Sequence, residues 1–116
     1  MILKGIAISG RGEASFFVLS WRYQKFFREI LGVAPYPGTL NIRLRKEISF
    51  KRVYKPNQAR PIRRARVRRI NSSRIDALAL IPGKSRGRVI EIVASVKLRN
   101  LLDIDDGKEV MLSVEE

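Results

Sequence analysis

The chain has 116 residues, with 24 Lys and Arg against 11 Asp and Glu, a formal net charge of +13, and neither Cys nor His. That composition excludes a disulfide scaffold, a thiolate nucleophile, a Cys zinc site, His-based acid–base catalysis and most transition-metal sites. An apolar content of 45% argues for a folded chain despite the charge, and the length fits one domain. What remains for chemistry is carboxylate, hydroxyl, amide, ammonium and guanidinium.

Taken in chain order, residues 2–9 alternate Ile6 and Ile8 against Gly5 and Ala7, which predicts a strand. Residues 10–14 read as a Gly-containing loop and 15–19 as a second strand. Ser20 is a candidate N-cap for a helix whose apolar residues Tyr23, Phe26, Phe27, Ile30 and Leu31 recur at i, i+3, i+4, i+7 and i+8 before Gly32 ends it. Pro35-Tyr36-Pro37-Gly38 is a turn, and residues 39–44 alternate as a strand. Residues 45–61 are polar with Pro and Asn, which predicts a long excursion.

Strands follow near 62–70, 75–81 and 88–94, with Asn71-Ser72-Ser73 turning the first into the second. Ser95 is a candidate N-cap for a short helix through Leu102. The run Asp103-Ile104-Asp105-Asp106-Gly107 then turns the chain into a last strand, with Val110, Leu112 and Val114 on one face. The expected class is mainly β, a small barrel with two short helices, forming a single domain over 1–116. No apolar run approaches the roughly 18 residues that span a bilayer, and Met1-Ile2-Leu3-Lys4-Gly5 lacks the layout of a secretory signal. A cytoplasmic protein with no membrane association is expected, and a monomer.

The charge is uneven. Residues 42–90 hold 16 Lys and Arg against only Glu47 and Asp76, a net of +14, whereas the rest of the chain sums to −1. The densest run is Arg60-Pro61-Ile62-Arg63-Arg64-Ala65-Arg66-Val67-Arg68-Arg69-Ile70. It reads either as a phosphate-binding stripe or as the solvated face of an edge strand. Arg64, Arg66 and Arg68 share one side at period two, and no aromatic residue interleaves them for base stacking.

Four segments can carry chemistry. Ser9-Gly10-Arg11-Gly12-Glu13-Ala14-Ser15 could cradle a phosphate or simply close a tight hairpin; Ser15 at the third glycine position rules out the dinucleotide fingerprint. Gly83-Lys84-Ser85 is no P-loop, since Leu78 stands where the earlier glycine belongs. In Gly38-Thr39-Leu40-Asn41, Thr39 and Asn41 project to one face of a strand. They are neutral oxygen donors that suit a magnesium ion neutralised mainly by substrate phosphates, or else a plain polar outer face. Glu91, among Val89, Ile90, Ile92 and Val93, is a carboxylate that needs a partner: it is either paired with an arginine or lines a site as acceptor or base. Lys97 and Arg99 next to a helix N-terminus form either an anion site or a solvated face.

In combination these blocks have a likeness. The order Gly5-x-Ala7-x-Ser9-Gly10-x-Gly12-Glu13, a Phe-rich helix ending Ile30-Leu31-Gly32, and Pro35-Tyr36-Pro37-Gly38-Thr39-Leu40-Asn41 resembles the archaeal CTP-dependent riboflavin kinases. So does Ile90-Glu91-Ile92-Val93-Ala94-Ser95-Val96-Lys97-Leu98-Arg99, and the resemblance covers about residues 5–44 and 82–114. It implies a six-stranded cradle-loop barrel that transfers the CTP γ-phosphate to riboflavin, giving FMN and CDP, without the N-terminal winged-helix domain that some relatives carry.

By position, the resemblance implies nucleotide binding by Arg11, Gly12, Glu13, Ala14, Ser15 and Phe16, and by Val96, Lys97, Leu98 and Arg99. It implies magnesium on Thr39 and Asn41, and flavin contacts by Glu91 and by Ser85, which stands for a family Thr. Glu91 would orient the ribityl hydroxyl or accept its proton. Ala14 replaces a loop glycine and Ser95 a proline, and the arginine run is more basic than the family pattern asks for. The rival expectation is a basic nucleic-acid-binding barrel without kinase activity, which explains the arginines but gives Gly-Thr-Leu-Asn and Glu91 no task. A kinase-like barrel that binds flavin without turnover is the third.

Overall fold

The computed structural model describes residues 1–9, 21–55, 61–82 and 86–116. Seven strands and two helices follow one another: β1 (Ile2–Ile8), α1 (Trp21–Leu31), β2 (Leu40–Ile48), β3 (Arg52–Tyr54), β4 (Ile62–Ile70), β5 (Ser73–Pro82), β6 (Gly87–Val93), α2 (Leu98–Leu102) and β7 (Glu109–Glu115). The strands pair in the order β3-β4-β5-β6-β2-β1-β7, and β7 pairs again with β4. That last pairing closes six strands into an antiparallel barrel, with Val67 opposite Val114 and Ile70 opposite Leu112. Closure removes the free sheet edges that a small β protein must otherwise protect. β3 takes the part of the β4 edge that β7 leaves, with Tyr54 opposite Ile62 and Arg52 opposite Arg64.

Period-two alternation fills the interior. Leu3 and Ala7 of β1, Ile42 and Leu44 of β2, Ile90 and Ile92 of β6, and Val110, Leu112 and Val114 of β7 are all buried in one cluster. Ala65, Ala77 and Ala79 alternate with larger side chains and let the opposing strands approach. Gly5 is one more close approach: a Cβ there would lie 2.4 Å from the Arg43 carbonyl oxygen.

β5 explains its own unbroken apolar run, Ala77-Leu78-Ala79-Leu80-Ile81. Its odd positions face the barrel interior, while Leu78 and Leu80 face outward and are buried by α1. The predicted stripe of α1 covers them, with Tyr23, Phe26 and Phe27 packed on Ile62, Leu78, Leu80 and Val93. Phe26 stacks on Tyr54 at 3.9 Å between ring centroids. Gly32 closes the helix at φ +78°, its N–H donating to the Arg28 carbonyl at 2.8 Å.

Three expectations change. Residues 45–61 are not all excursion: β2 runs on to Ile48 through an irregularity in its pairing with β6, Phe50 is buried, and β3 follows. The polar composition misled because β2 there has a solvated face and only Phe50 anchors the turn. β4 is no edge strand, having β5 on one side and β3 and β7 on the other. A pairing shift between Val67 and Arg69 leaves Arg68 and Arg69 both exposed and returns Ile70 to the core.

Ser95 is not an N-cap: the cap of α2 is Lys97, with no side-chain capping bond, and α2 has five residues. The loop over 10–14, the strand over 15–19, the Ser20 cap and Gly83-Lys84-Ser85 lie outside the described residues. Among the described residues no helix is long and apolar enough to cross a membrane.

Candidate functional site

At the end of the barrel where β1 finishes and β2 begins, a cleft of about 670 Å³ opens. Its walls come from Ser9, the turn 36–38, Thr39 and Asn41, the segment 96–99, and Asp105 with Asp106. The turn is fastened to the end of β6 by the Tyr36 N–H, which donates to the Ala94 carbonyl at 2.7 Å, and the Gly38 N–H donates back to the Tyr36 carbonyl at 2.8 Å. Thr39 is thereby held in a fixed position just ahead of Leu40, the first residue of β2.

Thr39 Oγ1 donates to Asn41 Oδ1 at 2.9 Å, and Asn41, 7% exposed, is the buried polar residue of the described chain. The two oxygens are neutral. Among the described residues no group of three acidic side chains could hold a metal ion by itself. A cation placed here would draw its negative ligands from a bound substrate, as magnesium commonly does.

Glu91 stands directly opposite Asn41 in the β2–β6 ladder, and on its other side opposite Leu80 of β5. Directly paired residues point to the same face with Cβ atoms about 5 Å apart, so Asn41 and Glu91 are neighbours on the outer wall. Glu91 is half-buried, and its Oε2 is sealed from solvent. The structure therefore brings Asn41 and Glu91 together on two adjacent strands, with Thr39 just ahead of the first of them and bonded to Asn41.

Val96, Lys97, Leu98 and Arg99 divide into different tasks. Val96 is 45% exposed and Lys97 is exposed at the mouth of the cleft, whereas Leu98 is buried in the barrel core. The Arg99 guanidinium turns back into the protein. Its Nη2 donates to the Ile8 carbonyl at 2.7 Å and contacts Asp106 Oδ1 at 2.8 Å, and its Nη1 reaches the Ile104 carbonyl at 3.4 Å. The Ser9 hydroxyl donates to the same Asp106 carboxylate. That hydroxyl first, and then Arg99, hold the Asp106 carboxyl below its ordinary pKa against the opposing effect of desolvation.

Ser9, Asp106 and Arg99 thus form a clamp between the end of β1 and the loop before β7. Sequence reasoning took Ser9 only as the start of the Gly-containing loop and missed Asp106, reading 103–107 only as a turn; the sole signal for Asp106 was an unusual density of Asp next to a basic segment. Arg11, Gly12, Glu13, Ala14, Ser15, Phe16 and Ser85 lie outside the described residues.

The family model described as a domain of unknown function, DUF120, and labelled for CTP-dependent riboflavin kinase, matches residues 7–114. A riboflavin kinase of Archaeoglobus fulgidus is 32% identical over 97% of this chain and 54% of its own length. One of Methanocorpusculum labreanum is 31% identical over 97% of this chain and 57% of its own length. One of Pyrococcus abyssi is 34% identical over 95% of this chain and 57% of its own length. The chain spans about half the length of the curated relatives it matches. With every described element but most of β1 inside the matched region, which runs from the last two residues of β1 almost to the end of β7, the chain belongs to the archaeal CTP-dependent riboflavin kinase family.

Proposed function

We propose that this chain transfers the γ-phosphate of CTP to the 5′-hydroxyl of riboflavin, giving FMN and CDP. The observation that carries the reading is Asn41 opposite Glu91 on two paired strands, with Thr39 bonded to Asn41, beside a cleft whose mouth carries Lys97. In the transfer the bond from the γ-phosphorus to its bridging oxygen breaks, a bond from that phosphorus to the ribityl oxygen forms, and the hydroxyl proton leaves. Such a reaction asks the protein chiefly for alignment and charge neutralisation, which is why a chain without His or Cys can perform it.

Thr39 and Asn41 fit magnesium. Their oxygens stand 2.9 Å apart, and adjacent corners of an octahedron with bonds of about 2.1 Å are separated by about 3 Å. These two residues would hold the ion, which when bound supplies charge neutralisation to the nucleotide phosphates. Lys97 balances phosphate charge at the cleft mouth. Glu91, one strand from Asn41, orients the ribityl hydroxyl and is placed to take its proton. Arg99 acts through Asp106 and Ser9, holding the cleft wall rather than touching phosphate. CTP as the donor, the nucleotide and flavin contacts of 11–16 and Ser85, and the metal all follow the family pattern.

One assay tests the reading: the protein with riboflavin, magnesium and either CTP or ATP, with FMN quantified by chromatography. FMN from CTP is the expected result. A correctly folded protein that makes no FMN from either nucleotide overturns it. Glu91→Gln separates orientation from proton transfer. Turnover near wild type at saturating riboflavin removes Glu91 as a base, whereas a loss that eases as pH rises supports it.

A further inference from the structure

The arginine run is not absorbed by the cleft. Arg52, Arg64, Arg66, Arg68, Arg69 and Arg74 lie on β3, β4 and β5, and none of them lines the cleft. Their arrangement is electrostatically uncomfortable. Arg52 stands directly opposite Arg64, and Arg69 directly opposite Arg74, and like charges facing each other across a ladder destabilise it.

Two carboxylates temper the ridge: Asp76 meets Arg66 at 2.6 Å and Glu115 meets Arg68 at 2.8 Å. Both acids are more than half exposed, so screening leaves these pairs weak. Arg52, Arg64 and Arg74 have no acidic partner among the described residues. Arg64 lies over the Phe26 ring at 5.2 Å from its centroid, and its buried Nε has no hydrogen-bond partner among the described residues. Burial, then repulsion from Arg52 and Arg66, holds the Arg64 pKa below the ordinary arginine value.

The chemistry of the missing counter-charge can be narrowed. The charged heads on β4 are all guanidinium, the planar fork that matches phosphate oxygens two at a time. Alternate residues on a strand repeat every 6.8 Å or so, which is comparable with the step between successive phosphates of a nucleic-acid strand. Tyr54 is already stacked on Phe26, and the ridge offers no exposed aromatic side chain for an unpaired base. A lipid surface would call for apolar anchors among the cations, and among the described side chains of these three strands Val53 is the one exposed large apolar residue. We propose that this ridge docks the phosphate backbone of a nucleic-acid duplex without reading its sequence. The site is independent of the kinase reading.

The test uses the intact chain and a fluorescent random-sequence duplex of about 20 base pairs, with anisotropy followed from about 50 to 200 mM salt. Binding that weakens steeply with salt is expected. Arg68→Gln with Arg74→Gln should weaken it about tenfold and reduce the slope of log K against log salt by about 2. A matched loss of charge on the opposite wall, Lys4→Gln with Arg45→Gln, should change it less than about twofold.

Circular dichroism confirms that each variant is folded, and FMN formation by the ridge variant should equal wild type. Three results each overturn the proposal: no binding at the lowest salt, equal losses for the two double variants, or equal binding to polyglutamate or to anionic vesicles.

Discussion

The cleft and the arginine ridge use charge in opposite ways. In the cleft two sets of polar groups are bonded to one another: Thr39 to Asn41, and Asp106 to both Ser9 and Arg99. On the ridge arginine faces arginine, and a buried Arg64 Nε is left over. Groups held by internal bonds are preorganised, so they can present fixed geometry to a reacting substrate. Groups left in mutual repulsion lower stability and store attraction for an anion from outside. The difference teaches that a net charge of +13 is two quantities, a small part that belongs to a built site and a large part that belongs to a surface.

The sharpest way to break that contrast is at the oxygen pair. Thr39→Ala with Asn41→Ala should lower the rate of FMN formation by about a hundredfold or more, near 2.7 kcal/mol of transition-state stabilisation. The fold should persist, with a loss of about 0.5–1.5 kcal/mol in denaturant unfolding for the hydrogen bond. A double variant that keeps its activity would reduce the pair to a local bond.

Next in size is the clamp. Arg99→Ala removes a charge-assisted bond to the Ile8 carbonyl and should cost about 1.5 kcal/mol of stability, the solvent-screened pair with the exposed Asp106 adding little. If Arg99 instead touches phosphate, its loss would appear in the KM for nucleotide with little change in unfolding.

The ridge predicts the reverse sign. Arg52→Gln deletes one of two facing arginines and should stabilise the protein by about 0.2–1 kcal/mol at low salt. That gain should shrink as salt screens the repulsion. A stabilisation that persists in high salt would trace to packing rather than charge.

How much of this could be read from the chain depended on whether a pattern was local. The α1 stripe, the β4 and β7 strands and the Asn71 turn carried their own periodicity and punctuation, and they stand as read. So did Thr39 and Asn41, because strand alternation alone places them on one face. The Glu91–Asn41 apposition is a register between β6 and β2, and no local pattern encodes a register across about 50 residues.

The same holds for Arg99. Beside a helix start its cation looks like an anion site, and only the folded return of β1 and the 103–107 loop shows it engaged with Ile8 and Asp106. The closure of β4 onto β7 turned an expected edge strand into a wall with two neighbours, because pairing partners are set by topology and not by composition.

The smallest expected effect is also the most specific to the clamp. Asp106 is a group whose folded pKa lies below its unfolded one, with the Ser9 hydroxyl the first cause and Arg99 the next. Such a carboxylate contributes stability that is complete above its unfolded pKa, about 3.9, and is lost as pH falls through the lower folded value. The difference in melting temperature between wild type and Asp106→Asn should therefore be present at neutral pH and fade below about pH 4. Because the carboxyl is open to solvent, added salt should shrink the Arg99 share of that difference, while the Ser9 hydrogen bond persists. A carboxyl carbon titration by NMR checks the cause directly. Ser9→Ala should move the Asp106 midpoint upward, and a midpoint that stays in place would show that Arg99 alone holds the clamp.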